Sequence, residues 1–483
     1  MTLSSPNRSL LQETKRTKIV CTIGPASNSV DMLFRLGQAG MDIARLNFSH
    51  GTHEDHAMVM KRLSLVGKRL GQPFGILQDL QGPKIRIGDL PPEGVRLIPG
   101  EPAIFSTAAH LEKGDIPVTL PSLHKDVKRG EHLLFDDGLL EVIVQKIVGN
   151  RIFTEVVQGG KLLSHKGLNL PGTTLHIPAL SEKDRSDARF GVELGVDFIA
   201  LSFVRSPEDV LDLRRLLDSR GAKGKAIRII AKIEKQEAIE RFEKILPLCD
   251  GIMVARGDLG VETPAAQVPV VQKQIIAACR ERAIPVIVAT QMLDSMQRNP
   301  RPTRAEVSDV ANAVTDHADA VMLSGETASG EFPVEAVKMM AETIKQTEAS
   351  TFDDLNPVNL SKPRDLPEVI GATVRVLVEA LQRPPVVIAT ATGRSAREVS
   401  SFRPETRVHA FTFDPHVART MRLIWGVTPY LLPRKASPEL MVKAAMAQLK
   451  SAKVIKAKER VIVVTGSIKA TPGSANKIEI LTA

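Results

Sequence analysis

Apolar runs alternate with amphipathic stretches along most of the chain, and residues 227–258 show the repeating unit. Their pattern predicts a strand, a helix and a second strand. The first apolar run ends at Lys232 and Glu234. The second ends at Arg256 and Asp258. Buried parallel strands are nearly continuous apolar runs, so charged residues where each run stops are expected at the carboxyl edge of a parallel sheet. That edge is where a (β/α)8 barrel builds its active site.

Eight apolar runs of this kind occur in the chain. They occupy residues 18–27, 40–51, 74–80, 197–204, 228–233, 251–255, 285–290 and 318–326. Helical periodicity fills intervals between and after them, most clearly at 30–40, 181–195, 267–282 and 333–349. Eight strands with helices between them are what a closed parallel barrel needs. We therefore predict an α/β fold in which residues 18–86 and 175–350 form a (β/α)8 barrel.

Residues 87–174 have a different character from the rest of the chain. They contain short β-patterned runs, many Gly and Pro residues and no long amphipathic helix. Turn signals at Asp137-Gly138 and Gly149-Asn150 predict antiparallel hairpins. We expect an inserted small β-barrel domain that acts as a lid over the carboxyl edge.

The last part of the chain predicts a separate α/β domain, residues 356–483, after a linker at 353–367. Its apolar runs are 385–390, 407–413 and 460–466, with helical patterns between them. At 390–399 a strand leads through a Gly-containing loop into a helix, and backbone N–H groups at such a helix start bind phosphate. We expect this domain to be regulatory. The residues predicted to bind a phosphorylated effector are Thr392, Gly393, Arg394, Ser395 and Ala396.

Composition narrows the classes of function. No apolar run reaches the roughly 18 residues of a membrane span, and the polar residues 1–17, expected to form a tail, do not read as a secretory signal. Three cysteines without CxxC spacing suit a reducing cytosol, so a cytoplasmic protein is predicted. The net charge of +9 permits nucleic-acid binding, but aromatic residues are only 4%, so stacking platforms are scarce and we expect no nucleic-acid partner. A basic surface also attracts small anionic substrates.

Polar residues also occupy the second apolar run. Arg45, Asn47 and Ser49 alternate along it, and a period of two places them on one face of a strand. Charged and amide groups that face a core need partners, so a bound anion or ion is favoured over packing alone. His50, His53 and His56 follow at three-residue steps at a predicted helix start, which does not make a closed metal-ligand set.

The lysine beside two carboxylates has a chemical interpretation. Glu234 and Asp258 would hold a hard divalent cation, while the Lys232 ammonium would stabilise charge on a transferring anionic group. The alternative for such a cluster is a structural ion-pair network.

Seven motifs stand together in the order typical of one family. They are TIGPAS, MDIARLNFSHG, GPKIR, MVARGDLG, ATQMLDSM, RPTRAEVSDVANAV and MLSGETASG. From Lys18 onward the sequence resembles the pyruvate kinases. The resemblance implies phosphoryl transfer from phosphoenolpyruvate to ADP, giving pyruvate and ATP, with Mg²⁺ or Mn²⁺ as cofactor. It also implies a homotetramer, with residues 301–314 in subunit contact and barrel closure more than in chemistry.

The resemblance assigns roles to single residues. It implies that Arg45 and Arg86 hold the phosphate of phosphoenolpyruvate, that Lys232 neutralises the phosphoryl group in transfer, and that Glu234 and Asp258 ligate the divalent ion. The backbone positions implied for the substrate carboxylate are Arg256, Gly257 and Asp258. The groups implied for the proton relay to the enolate carbon are Thr290, Ser324 and Glu326, although Thr290 and Ser324 could instead be caps. The residues implied for the nucleotide are Thr22, Pro25, Arg45, His50 and Lys183.

One departure concerns the monovalent cation of many pyruvate kinases. The resemblance implies a K⁺ pocket from Asn47, Ser49 and Asp79, yet position 80 is a leucine, which cannot ligate a cation. The set Leu80, Gln81, Lys84 and Ile87 resembles the branch of the family that works without K⁺. We expect the Lys84 ammonium to supply the charge of the ion. The alternative is a solvent-facing Lys84 with K⁺ held by the remaining oxygens.

Two other functions were weighed. A metal-dependent lyase or aldolase that stabilises pyruvate enolate would also use Arg45, Glu234 and Asp258, but it would not need Lys232. An RNA-binding protein rests only on the net charge. The segment 465–476 lacks a tryptophan often found there in the family, which leaves the identity of the phosphorylated effector open.

Overall fold

The computed structural model describes residues 15–173, 175, 177–353, 355, 365–466 and 475–483. The predicted tail at 1–14, most of the predicted linker and the middle of the segment 465–476 lie outside these residues. In the part of the chain that is described, no helix is both long enough and apolar enough to cross a membrane.

The chain begins with three parallel strands and two helices. The strands are Lys18–Ile23 (β1), Ile43–Asn47 (β2) and Gly75–Asp79 (β3), and the helices are Val30–Ala39 (α1) and His53–Leu70 (α2). Helix α2 begins with a reciprocal capping box between Thr52 and Asp55, which satisfies backbone N–H groups that have no partner inside the helix. The strands β1 and β2 end sooner than the apolar runs because a turn follows each of them, at residues 25–27 and 48–49.

The predicted insertion follows β3. Its elements are Val95–Leu97 (β4), Pro102–Ser106 (β5), Asp115–Pro117 (β6), Leu123–Asp126 (α3), His132–Phe135 (β7), Leu140–Val148 (β8), Arg151–Gln158 (β9), Gly160–Leu162 (β10) and Leu168–Asn169 (β11). Six strands form a sheet in the order β11-β7-β8-β9-β5-β6, and β4 pairs with β10. The pairing is antiparallel as predicted, except that β5 and β6 are parallel.

Two residues from the connection after β3 join the edges of this six-stranded sheet. Arg86 bridges to Gly167 beside β11, and Ile87 bridges to Val118 beside β6. The sheet therefore closes around an apolar core of its own. The small barrel of the lid thus depends on the segment that links it to the large barrel.

The remaining elements of the large barrel follow the insertion. They are Glu182–Leu194 (α4), Phe198–Leu201 (β12), Pro207–Asp218 (α5), Gly221–Ala226 (α6), Arg228–Ile233 (β13), Gln236–Glu240 (α7), Phe242–Ile245 (α8), Gly251–Ala255 (β14), Arg256–Glu262 (α9), Val268–Glu281 (α10), Val286–Ala289 (β15), Arg304–Thr315 (α11), Ala320–Leu323 (β16), Gly325–Ala328 (α12) and Pro333–Glu348 (α13). The strands close in the order β1-β16-β15-β14-β13-β12-β3-β2, all in parallel. The prediction of an eight-stranded parallel barrel is confirmed.

The C-terminal part is an α/β domain, as predicted. Its elements are Leu366–Ala380 (α14), Val386–Ala389 (β17), Arg394–Ser401 (α15), Val408–Thr412 (β18), Pro415–Thr420 (α16), Val427–Leu431 (β19), Pro438–Ser451 (α17), Arg460–Thr465 (β20) and Lys477–Thr482 (β21). The sheet order is β19-β18-β17-β20-β21, with β21 antiparallel. The sequence predicted only the three central strands. Both missed strands lie at the edges, where polar residues and a proline are tolerated and no apolar run is needed.

The start of the described chain corrects one boundary. Lys15 and Thr17 are buried, although residues up to 17 were predicted to form a tail. Both the backbone N–H and the hydroxyl of Thr17 donate to Glu348 at the end of α13, at 2.6 and 2.7 Å. The carbonyl of Arg16 accepts from Gly426 of the C-terminal domain. These residues therefore connect the large barrel to that domain, because their polar groups have partners in both.

Candidate active site

The carboxyl edge of the barrel buries a lysine among polar partners. Lys232, near the end of β13, lies 2.8 Å from Glu234 and 3.4 Å from Asp79. Its ammonium also donates to Ser202 Oγ at 2.9 Å. Burial alone would lower the pKa of Lys232, but Asp79 and Glu234 outweigh it and raise that pKa above its ordinary value. The site therefore keeps a positive charge out of water.

Glu234 is fully buried and only partly satisfied. Its Oε2 accepts from the backbone N–H of Phe203 at 2.7 Å, whereas Oε1 has no hydrogen-bond partner in the described part of the chain, only the ion pair with Lys232. Burial raises the pKa of Glu234, and Asp258 in the first turn of α9 adds to the rise. A buried carboxylate oxygen without a hydrogen bond, with a second carboxylate nearby, suits a hard divalent cation. These two residues therefore fit the predicted metal site.

The two carboxylates do not form a complete cage. Among the described residues, no group of three or more His, Cys, Asp or Glu side chains is arranged to hold a metal ion. Mg²⁺ commonly binds through one or two carboxylates, with water and substrate oxygens as its other ligands. His53 donates to or accepts from Asp187 at 2.8 Å, and His56 stacks on Phe48, so these histidines have structural partners.

Arg45 is fixed across three neighbouring strands. Its Nε lies 2.7 Å from Asp79 on β3, and its Nη1 donates to Thr22 Oγ1 on β1 at 2.8 Å. Thr22 in turn donates to the carbonyl of Leu323. Arg45 and Lys232 thus share the carboxylate of Asp79. Burial would raise the pKa of Asp79, but Lys232 and Arg45 hold it below its ordinary value.

The other residues predicted for the nucleotide lie around the same end of β1 and β2. Thr22 is buried and serves Arg45, whereas Pro25 and His50 are exposed. Lys183, in the first turn of α4, donates to the carbonyl of Phe48 and pairs with Asp187, both at 2.6 Å. About half of the Lys183 side chain remains exposed, so an anionic ligand could reach it.

The predicted monovalent-cation pocket is already occupied in part by protein groups. Asn47 Oδ1 accepts from the N–H of Ser49 at 3.1 Å, and both oxygens of Asp79 face cationic side chains. Leu80 is buried, and Lys84 is exposed on the connection to the lid. No hydrogen bond or ion pair engages the Lys84 ammonium among the described residues. This exposure is what the alternative of a solvent-facing Lys84 expects.

Thr290 directly follows β15 and has a left-handed conformation with φ 69°, which is costly for a β-branched residue. Its Oγ1 accepts from the N–H of Gly257 at 2.7 Å, and its carbonyl accepts from Arg256 at 2.9 Å. Arg256 also pairs with Asp309 on α11 at 2.6 Å. The Arg256 side chain is therefore turned away from the barrel mouth, and only its backbone faces the predicted carboxylate site.

Glu326, predicted to take part in the proton relay, binds backbone N–H groups instead of facing the barrel mouth. It is buried, and its two oxygens accept from the backbone N–H groups of Leu293 and Ser324 at 3.1 and 2.7 Å. Burial raises its pKa. Ser324 directly precedes α12. Glu326 thus holds the loop after Thr290 against the end of β16, and its contact with the site passes through that loop.

A cleft of about 240 Å³ separates the lid from the barrel mouth. Arg86 lines it and donates to the carbonyl of His165 in the lid at 2.7 Å. Lys166 also lines it and pairs with Asp136 at 2.7 Å. The sequence analysis missed Lys166 and Ser202. Ser202 could have been found, since it directly follows the apolar residues of β12, where the rule for strand ends applies.

The loop predicted to bind an effector has the expected form. Gly393, with φ 79°, precedes α15, and its N–H donates to Thr390 Oγ1 at 3.0 Å. The side chain of Arg394 is partly exposed and pairs loosely with Asp365 and Glu398, at 3.7 and 3.6 Å. Ser395 and Ala396 are buried in the first turn of the helix.

Comparison with known proteins points to one family. The sequence-family model described as pyruvate kinase, barrel domain, matches residues 14–337. The family model described as pyruvate kinase, alpha/beta domain, matches residues 368–481. Pyruvate kinase 2 of Synechocystis sp. is 43% identical over 472 residues, which cover 96% of this chain and 79% of that protein. A pyruvate kinase of Corynebacterium efficiens is 43% identical over 469 residues, covering 96% of this chain and 97% of that one. A crystal structure of a pyruvate kinase from Cryptosporidium parvum superposes with a TM-score of 0.91 at 35% identity, covering 99% of this chain and 98% of that chain.

The first prediction concerns the divalent ion. Glu234→Gln and Asp258→Asn should each weaken Mn²⁺ binding by roughly ten- to hundred-fold or more. Removing a residue that only hydrogen-bonds to a metal ligand already costs that much, and these variants change the ligand itself. The measurement is electron paramagnetic resonance of free Mn²⁺ in the absence of substrates. Glu240→Gln, an exposed carboxylate on α7, is the matched control. Unchanged Mn²⁺ affinity in both site variants would refute the assignment.

Proposed function

The chain belongs to the pyruvate kinase family of phosphotransferases, and from that premise we propose how its residues transfer the phosphoryl group of phosphoenolpyruvate to ADP. The P–O bond to the enol oxygen breaks, a terminal oxygen of ADP forms the new P–O bond, and the enolate carbon takes up a proton to give pyruvate. The observation that carries the proposal is the Lys232 ammonium, held charged between Asp79 and Glu234 beside Arg45.

Phosphoryl transfer asks the protein mainly for position and positive charge. We assign two arginines to the phosphate of phosphoenolpyruvate: Arg45 near the carboxyl end of β2, and Arg86 on the connection from β3 to the lid. Lys232 faces the group in transfer, and Ser202 and Glu234 fix the direction of its ammonium. Because these cations are paired and hydrogen-bonded before substrate arrives, little reorganisation is needed during the reaction.

Glu234 and Asp258 would hold Mg²⁺ or Mn²⁺. When bound, such an ion supplies charge stabilisation for substrate oxygens. The backbone at the start of α9, around Gly257 and Asp258, is assigned to the substrate carboxylate, since helix N-termini favour anions. The Gly257 N–H, which donates to Thr290 Oγ1, would share its hydrogen bond with that carboxylate. We assign the nucleotide to the exposed surface around Pro25, His50 and Lys183.

The proton step needs a polar relay rather than a strong base, because the enolate is itself basic. We assign Thr290 to this relay, since its Oγ1 already exchanges hydrogen bonds with Gly257 and the carbonyl of Ala289. Ser324 can extend the relay through water. Glu326 acts as a positioning group through the loop that follows Thr290.

The second prediction tests Lys232. Lys232→Met should lower kcat by about two to three orders of magnitude, as loss of a transition-state donor does, while phosphoenolpyruvate binding measured by calorimetry stays close to that of the unmodified enzyme. A lactate-dehydrogenase-coupled assay measures kcat, and Lys244→Met on α8 is the exposed control. A raised KM with kcat preserved would mean that Lys232 only binds substrate.

We further propose that the enzyme does not require K⁺. The support is the sequence set at positions 80, 81, 84 and 87, together with Arg45 and Lys232, which already occupy the carboxylate of Asp79. The four-carbon stem of Lys84 lets its ammonium move between solvent and the cleft that it lines.

The third prediction follows from this proposal. Activity should be nearly equal in K⁺ and in a tetraalkylammonium salt at matched ionic strength, and Lys84→Glu should lower activity and make it rise with added K⁺. The same coupled assay checks both. A several-fold loss for the unmodified enzyme when K⁺ is withdrawn would contradict the proposal.

The C-terminal domain is assigned a regulatory role. We propose a cytoplasmic homotetramer activated by a phosphorylated metabolite at Thr392–Ala396, supported by the Gly-containing loop before α15 and by the partly exposed Arg394.

The fourth prediction tests this effector site. Arg394→Ala should abolish activation by whichever of glucose 6-phosphate, ribose 5-phosphate or adenosine monophosphate activates the unmodified enzyme. The measurement is the ratio of activities with and without each compound at low phosphoenolpyruvate. Arg407→Ala, an exposed arginine of the same domain, is the control. Persisting activation in the Arg394 variant would place the site elsewhere.

A further inference from the structure

Four aspartates repeat at the amino edge of the large barrel, opposite the active site. Each directly precedes a strand, and the four strands are β2, β12, β14 and β16. The carboxylate of each accepts from a backbone N–H of the preceding strand in the barrel at 2.9 to 3.1 Å; the pairs are Asp42 with Ile19, Asp197 with Ile76, Asp250 with Ile229, and Asp319 with Val286. These four residues therefore join all eight strands in pairs. We call them the aspartate ring.

The C-terminal domain docks on this ring through arginines. The pairs are Arg419 with Asp197 at 2.9 Å, Arg403 with Asp319 at 3.3 Å and Arg422 with Asp42 at 4.0 Å. The carboxylates of these three pairs are at most 10% exposed. For Asp197 and Asp319, such buried ion pairs hold a relative orientation because breaking one leaves an uncompensated charge. Asp42 also pairs with Lys15.

The fourth aspartate is paired differently. Asp250 contacts Arg228 and Arg214 of the barrel itself, at 3.0 and 3.5 Å, and its side chain is 22% exposed. The C-terminal domain places Arg397 here, in the first turn of α15. Arg397 lines a small cavity of about 20 Å³ together with Arg228 and Asp250. Among the described residues, no hydrogen bond or ion pair engages its guanidinium. Burial and the neighbouring Arg228 lower the pKa of Arg397, and the nearby carboxylates of Asp250 and Glu398 offset this effect only in part.

This fourth position lies between the effector loop and the active site. Thr392 and Gly393 of the loop line the same cavity, and Arg397 directly follows Ala396. On the barrel side, β13 begins at Arg228 and carries Lys232 towards its other end. Strand β14 begins after Asp250 and leads into α9 with Asp258. The strands that hold the candidate metal ligands and the phosphoryl-binding lysine therefore meet Arg397 at their base.

We propose that Arg397 is a positioning residue that couples the Thr392–Ala396 loop to the active site by competing with Arg228 for Asp250. The proposal rests on the proposed effector site. An anion at the start of α15 offsets the positive charge of Arg394, Arg397 and Arg228. Arg397 then closes on Asp250, so that the fourth aspartate is paired across the domains like the other three. The bases of β13 and β14 shift with Asp250, and the affinity for phosphoenolpyruvate rises.

The fifth prediction separates binding from coupling. Glucose 6-phosphate, ribose 5-phosphate and adenosine monophosphate are titrated by calorimetry, and KM for phosphoenolpyruvate is measured with and without each. Arg397→Met should bind the activating compound as the unmodified enzyme does, yet KM should no longer fall. Arg397→Lys should restore part of the fall. Arg394→Met should lose binding itself, and Arg407→Met should change neither. Full activation of Arg397→Met would overturn the proposal.

A second arm needs no effector. Arg397→Glu repels Asp250 instead of pairing with it, so the pair across the domains cannot form and KM for phosphoenolpyruvate should rise about five-fold or more, the usual range of coupling between sites, with kcat nearly unchanged. An unaltered KM would refute the role of Arg397. If none of the three compounds binds the unmodified enzyme, the effector site at Thr392–Ala396 fails, and this arm alone decides the role of Arg397.

Discussion

The need to pair buried charge shapes the carboxyl edge of this barrel. Lys232 keeps its charge away from water because Asp79 and Glu234 lie against it, and Asp79 is shared with Arg45. Charged side chains from the ends of different strands therefore neutralise one another. Glu234 Oε1 has no hydrogen bond among the described residues, only the ion pair with Lys232. The proposed divalent cation and anionic substrate would add charges of both signs to this network, which suits a site for phosphoryl transfer.

Much of the fold followed from apolar runs, because the strands of a closed parallel barrel are buried on both faces. Strands β19 and β21 escaped the same analysis since an edge strand needs no continuous run. The rule that charges end a buried strand assigned Lys232, Glu234 and Asp258 to the carboxyl edge, and the alternation along the second run assigned Arg45 to one face of its strand. It could not tell that Arg256 turns towards Asp309 or that Glu326 binds two backbone N–H groups. Spacing sets the edge at which a residue lies, whereas neighbouring elements set the direction of its side chain.

The two edges of the large barrel do different work. The carboxyl edge gathers the groups proposed to face substrate, and the amino edge carries the aspartate ring, on which the C-terminal domain packs. The ring has a trace in the sequence, an aspartate directly before the first residue of four of the eight barrel strands, at positions 42, 197, 250 and 319. That trace was visible in advance, but its meaning required the pairing of strands and the arginines of another domain. Because rigid strands connect the edges, a change in docking at one edge can reach the other.

The closure of the lid through Arg86 and Ile87 has a consequence for how such proteins can be rebuilt. An inserted domain is usually regarded as a cassette that can be cut out or exchanged at its two ends. Here two residues of the connection after β3, Arg86 and Ile87, bridge the two edges of the lid sheet. A cut at residue 87 would therefore open the small barrel and leave its edges unpaired. A foreign lid grafted at that point would compete for the same two residues. Exchange between relatives should therefore carry the connection from β3 onward as part of the transplanted piece.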